Sequence, residues 1–359
     1  MPARDIHEPH RASTQLELLF DLVTVIAIAA AAAGLHHAIS ADHLGAGLLK
    51  FAAAFFGVWW AWMNYTWFAS AYDNDDLLFR LLTMTILAGS LIVVGYVIMR
   101  IAMIFLWLRA AGNDPPRRAT ALWYAAGIGV AQVFWVLLFL LQPLSATVFF
   151  PLMAVGAALE LAVPVLAEKH AMTPWHRHHI IERYGLLTII VFGETLLAAS
   201  MALQRAYSGT TNIDLLCIAL SALVILFSMW WIYFSREEHL GAMDLRRAFS
   251  WGYGHLVIFA SGAAVGAGIA VLVDVKTDHA SIGELAGNYA VAVPVALFFV
   301  GLWFVRERFL FSGSSRFLLP AFALAVLVAP LALGLAGVAV LTVLAAVWRT
   351  SVSGGRIDG

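Results

Sequence analysis

Ionisable residues written into otherwise apolar runs are where this chain could do chemistry. The densest case is His179 to Leu197, HIIERYGLLTIIVFGETLL, in which Glu182 and Arg183 open the run. Glu194 follows about 16 Å beyond Arg183, at about 1.5 Å of helical rise per residue. A carboxylate that deep in a hydrocarbon layer of about 30 Å is costly, so it faces protein or water and marks a substrate or proton site. Glu17 and Asp21 stand at i and i+4, on one helical face, where like charges in low dielectric suit proton exchange or cation binding. The plainer reading places Glu17 at the headgroups and pairs Asp21 with an arginine of another helix.

Other candidates stand beside these. Asn64 sits among Trp59, Trp60, Trp62, Tyr65 and Trp67; the aromatics read as an interfacial belt, while Asn64 calls for partners inside a bundle. Glu160 has Pro164 four residues on, which fits either a discontinuous transporter helix or a helix end. Asp73, Asp76 and Arg80 read as a helix start complementing the dipole, or as a lock between two halves of the chain. His255 lies among glycines whose Gly262-x-x-x-Gly266 spacing is a helix-packing motif, so it is either an interfacial or a titrating group. His179 and Glu182 are weak metal candidates by their i, i+3 spacing, alongside His178. No nucleophile or phosphate-loop motif accompanies them, and no cofactor is predicted.

The elements that position these residues are membrane helices. Of 359 residues, 62% are hydrophobic and 12% charged, against about 25% charged in a soluble domain. Strands of a barrel would alternate polar and apolar, which these blocks do not. The fold class is therefore an all-α, polytopic transmembrane bundle. Spans are predicted at about 17–38, 47–70, 77–95, 96–111, 119–141, 146–166, 180–203, 213–234, 250–273, 288–305, 317–333 and 335–348. The first is read as a membrane helix rather than a cleaved signal, because both signs of charge precede it and Glu17 and Asp21 interrupt it. The single Cys217 allows no intrachain disulfide, and a net charge of −1 gives no reason to invoke nucleic acid.

Leu77 to Ala111 contains no polar loop and reads as one long helix or two short ones, so the total is 11 or 12 spans. Two crossings put 17 of the 21 basic residues on one side, leaving Lys50, Arg100, Arg205 and Lys276 on the other. That asymmetry favours twelve spans with both termini cytoplasmic. Val58-Trp-Trp-Ala-Trp and Met229-Trp-Trp-Ile-Tyr recur about 171 residues apart, each before an acidic-then-basic connection. Six spans per half then make two parallel repeats. The predicted layout is an N-terminal segment at 1–16, a first half at 17–166, a connection at 167–179, a second half at 180–348 and a tail at 349–359.

Glu17-Leu-Leu-Phe-Asp-Leu-Val, Trp59-Trp-x-Trp-x-x-Tyr, Asp76 with Arg80, Glu182-Arg-Tyr-Gly to Phe-Gly-Glu194, Trp230-Trp-Ile-Tyr-Phe and Tyr253-Gly-His255 together resemble the bacterial low temperature requirement A family. The resemblance covers most of 15–310 and implies a multi-pass protein of the bacterial inner membrane; it carries no reaction or substrate. The short join within 77–111 departs from the loop that family members tend to have. From the residues, the expected function is a transporter-like carrier of a small solute or ion, with lipids as partners. A membrane-embedded enzyme on a lipid or small apolar substrate, and a non-catalytic stress or sensory protein, are the alternatives. Nothing in the sequence speaks to oligomeric state.

Overall fold

A computed structural model describes residues 3–5, 8, 11–90, 93–207, 212–235 and 245–354. Within them the chain is helical, with no strand. The helices are α1 (Gln15–Ser40), α2 (Leu44–Tyr72), α3 (Leu77–Ser90), α4 (Val93–Asn113), α5 (Arg118–Leu140), α6 (Ala146–Ala167) and α7 (Arg177–Ala206). They continue as α8 (Ile213–Phe234), α9 (Leu245–Lys276), α10 (Glu284–Leu302), the single turn α11 (Arg308–Leu310), α12 (Leu318–Val328) and α13 (Gly334–Gly354). Eleven helical stretches among the described residues are long and apolar enough to cross a membrane, and the shorter Leu77–Ile86 is apolar too. The protein is a polytopic helical membrane protein.

The stretch from Leu77 forms two helices, not one. α3 and α4 pack against each other with only two residues between their ends, so the chain reverses there. With 14 residues, α3 reaches about 21 Å at 1.5 Å per residue, short of a full bilayer. The join 91–92, the acidic-then-basic connection 236–244 and the tail 355–359 lie outside the described residues.

The chain forms two compact units. The first comprises Met1–Thr24 and Trp60–Arg183; the second comprises Val25–Trp59 and Tyr184–Gly359. In the first unit, Trp107 stacks flat on Tyr124 at 4.0 Å and meets Phe68 edge-on at 4.8 Å, and Phe20 stacks on Tyr65 at 4.0 Å. In the second, α9 is the core. Its Gly262 and Gly266 face Val191, Phe192 and Thr195 of α7, and the Thr195 hydroxyl donates to the Gly262 carbonyl at 2.9 Å. Gly268 meets the backbone of α10 at Ala290, leaving no room for a side chain. The glycine spacing is thus used for close helix approach, as a lipid environment demands.

Gly268→Val should destabilise the protein by about 1–3 kcal/mol through overpacking, measured by thermal unfolding in detergent. Gly57→Ala, where a Cβ meets nothing within 4 Å, should be neutral or gain up to about 1 kcal/mol from helix propensity. Equal losses at both positions would contradict this packing of α9 on α10.

Candidate functional site

The first unit holds a buried set of charges gathered from α1, α2, α7 and the segment before α1. Thr14 and Glu17 form a capping box: the Thr14 hydroxyl accepts from the Glu17 N–H at 3.3 Å, and Glu17 Oε2 accepts from the Thr14 N–H at 2.8 Å. The helix start therefore aims the Glu17 carboxylate. The same carboxylate accepts from His179 Nε2 at 3.2 Å, and lies 3.3 Å from Arg183 Nη1 and 3.8 Å from Arg11 Nη2. One turn along α1, Asp21 Oδ1 accepts from Arg183 Nη2 at 2.5 Å and from the Trp62 indole at 2.7 Å. Glu17, Asp21, His179 and Arg183 are each 0% exposed.

α7 contributes His179 and Arg183 because i and i+4 share a helical face. The connection before it is pinned: Glu168 accepts from the Thr173 N–H at 2.8 Å, and Ser70 Oγ accepts from the His176 N–H at 3.0 Å. α2 contributes two indoles. Trp60 and Trp62 are about 200° apart around the helix, so they serve different acids. Trp62 donates to Asp21, while Trp60 donates to Glu160 at 2.9 Å. Glu160 also accepts from Trp135 at 3.1 Å and pairs with Arg100, both charges being 0% exposed. This second centre ties together α2, α4, α5 and α6.

The near end of α2 is closed by cations. Arg11 donates to the carbonyls of Ser70 and, at 2.8 Å, Ala69, while Arg4 donates to the Asp73 carbonyl at 3.2 Å. These add donors at a helix end, where the Ala69 carbonyl also accepts from the Asp73 N–H at 3.0 Å. Burial, then the nearby Glu17 charge, pushes the Asp73 carboxyl up to about 6. Asp76 caps α3 by accepting from the Phe79 N–H at 2.9 Å, and its fork-like pair with Arg109 holds it well below the usual carboxylate range. Asp75 pairs with Arg80 at 2.5 Å, and that contact also lowers it.

Several sequence readings change. The Trp59–Tyr65 run is not an interfacial belt, since Trp59, Trp60 and Trp62 are at most 1% exposed. Asn64 donates to the Trp60 carbonyl of its own helix at 2.7 Å rather than to another helix. α6 runs unbroken past Pro164, so Glu160 is not beside a helix break. Glu17, in the first turn of α1, is enclosed by protein, and Asp21 does meet an arginine of another helix. Among the described residues Asp76 pairs with Arg109 and Arg80 with Asp75, partners within the first half. Glu194 is half-buried and forms no hydrogen bond or ion pair among the described residues; the partners of α7 gather eleven residues earlier, at Arg183. Glu182 points out, accepting from the Ser13 N–H at 3.3 Å, so it diverges from His179. Among the described residues no three His, Cys, Asp or Glu side chains converge as metal ligands.

In the second unit His255 is 0% exposed rather than interfacial, sharing hydrogen bonds with the Trp251 carbonyl at 2.8 Å and the Tyr233 hydroxyl at 3.1 Å. Sequence reasoning missed a further cluster there. Arg306 and Glu307 were placed in a loop and Arg349 in the tail, yet they are 5%, 1% and 0% exposed. Glu307 accepts from Arg306 at 3.0 Å and lies 3.2 Å from Arg349. Arg306 donates to the carbonyls of Tyr233 at 2.5 Å and Ile232 at 2.7 Å, capping α8. A π-turn at Trp303–Glu307 extends α10 and turns both charges inward. Arg100, counted as an external loop charge, is likewise interior. Also missed was the Thr14-x-x-Glu17 capping box, whose spacing is a sequence-level signal.

A family model described as bacterial low temperature requirement A protein matches residues 12–352. An uncharacterized protein of Rhizobium meliloti (strain 1021) is 26% identical over 273 residues, which is 67% of this chain and 65% of that protein. The chain thus matches slightly less than two thirds of that relative's length. No solved structure matches.

Asp73 yields a pH prediction. Its folded value of about 6 lies above the ordinary 3.8, so the folded state holds this proton more tightly than the unfolded one. Stability from this group is complete below 3.8 and is lost as pH rises through about 6. Asp73→Asn should flatten this slope and, at neutral pH, stabilise the protein by on the order of 2 kcal/mol. Thermal unfolding against pH in detergent checks it; a slope that survives the substitution assigns it elsewhere.

Proposed function

Because the chain belongs to the bacterial low temperature requirement A family, a name that records no chemistry, we propose from the site itself a transporter-like carrier of a small solute or ion. It sits in the bacterial inner membrane with both termini cytoplasmic, as the distribution of Lys and Arg favours. The supporting observation is Arg183, which holds Glu17 and Asp21 at once, all three 0% exposed and all on helices apolar enough to span. Intramembrane carboxylates that a coupling ion can neutralise are what a carrier needs to exchange one set of contacts for another. Taking up a positive charge at either acid weakens its hold on Arg183 and so loosens α1 from α7. The recurrent Trp-Trp segments support two parallel six-span halves, although Trp230 and Trp231 are 42% and 51% exposed where their counterparts are buried.

A second reading, a non-catalytic protein whose charges only pair helices, is favoured by the 2.5 Å contact of Arg183 with Asp21. A membrane-embedded enzyme has less support, since His179 and Glu182 face different ways.

Flux of a panel of labelled small organic and inorganic ions into proteoliposomes separates the first two. For a carrier, Glu17→Gln and Asp21→Asn each lower flux at least about tenfold, a loss of about 1.4 kcal/mol in the rate-limiting barrier. Flux unchanged in both variants removes the carrier. Pure helix pairing predicts instead that Arg183→Met costs about 3–5 kcal/mol of stability and that adding Asp21→Leu restores most of it.

A further inference from the structure

The buried charges of the first unit are out of balance, and the imbalance says what ion they take. Asp73, Arg11, Glu17, Arg183 and Asp21 follow one another as a ladder of alternating sign, none more than 4% exposed. Arg11 lies in the field of Asp73 and 3.8 Å from Glu17, and Arg183 lies 3.3 Å from Glu17 and 2.5 Å from Asp21. Among the described residues, three carboxylates therefore face two guanidiniums, with His179 on the middle acid. Of the other ionisable groups described nearby, Arg4 pairs with Glu8 at 3.0 Å and Asp75 with Arg80, while the buried His176 accepts from the His179 N–H at 3.3 Å and shares a hydrogen bond with the Glu8 carbonyl at 2.9 Å. The neighbouring groups of α2 and α3, the Tyr65 and Thr83 hydroxyls, carry no charge at neutral pH.

A buried set left at −1 is expensive, and gains by binding one positive charge. We propose that this charge is a proton, shared along Asp73, Glu17 and Asp21 with His179 as relay, so that the coupling ion of the carrier is H⁺. The acids have the acceptors for it. Asp73 Oδ2 and Asp21 Oδ2 are buried without a hydrogen-bond partner, and so is His179 Nδ1, while Glu17 Oε1 lies 3.3 Å from Arg183 and 3.8 Å from Arg11. Protonation of one carboxylate removes the excess negative charge and leaves each guanidinium with an ionised partner. A metal cation fits poorly, because the guanidiniums already occupy the space between the acids and no three acidic or imidazole groups converge among the described residues. In the step itself a hydronium ion loses one proton, an O–H bond forms on a carboxylate oxygen, and water is left; nothing else is broken. Asp73 is the entry point, because it alone of the three acids lies outside the apolar helices, in the connection between α2 and α3. The inference rests on the carrier reading for its purpose but not for its measurement.

The test is proton uptake by the full chain in lipid nanodiscs, followed with a pH dye after a jump from alkaline to mildly acidic buffer. Infrared detection of the protonated carboxyl stretch accompanies it. The ladder predicts about one extra proton per chain in the wild type. Glu17→Gln, Asp21→Asn and Asp73→Asn should each abolish it, because removing any one acid balances the ladder; Arg11→Gln should raise it to about two. Wild-type chains that show no carboxyl band overturn the proposal, as does sodium replacing the proton at constant pH, read from the fluorescence of Trp62 against Asp21. So does uptake lost in only one acid variant, which would mean an isolated group. Should a variant fail to fold, wild-type stoichiometry and the sodium competition still decide. Uptake retained with no solute flux sinks only the carrier.

Discussion

Everything in the first unit turns on one guanidinium. Arg183 is fully interior, and in hydrocarbon an arginine without acids is costly by any scale. Its presence obliges Glu17 and Asp21 to lie on one face of α1, His179 to stand one turn before it on α7, and Trp62 to finish satisfying Asp21. Removing the cation would leave two like charges one turn apart. The arrangement is thus held by mutual need, which is how buried ionic groups specify one geometry even where they add little net stability.

The second unit solves the same problem differently. Its core helix α9 is rich in small residues that let neighbouring backbones touch, and its buried charges gather at the end of α8. There Arg306 satisfies the last carbonyls of α8, and Glu307 joins it to Arg349. Charge in the first unit joins α1 to α7 side by side; charge in the second closes the end of α8.

The helical membrane architecture was legible because hydropathy depends on the bilayer alone. The site was legible in part. Glu17 and Asp21 share a face by spacing, and Arg183 announced a partner without naming it. Glu194 drew attention because depth along a helix can be counted from sequence, whereas the side of the helix that meets protein cannot. The tryptophans misled for a related reason: indoles suit a membrane interface and also suit buried carboxylates, and only packing distinguishes the two. Arg306 and Glu307 were hidden by a π-turn, which shifts the helical phase that periodicity assumes, and Arg349 by a last helix that runs on past the apolar stretch.

The capping box at Thr14 and Glu17 has one more implication. The carboxylate that winds the first turn of α1 is the same one that faces His179 and Arg183. One oxygen, Oε2, holds the Thr14 N–H while the other, Oε1, faces Arg183. A change at this one side chain is therefore felt both in the first turn of the helix and in the ion pair.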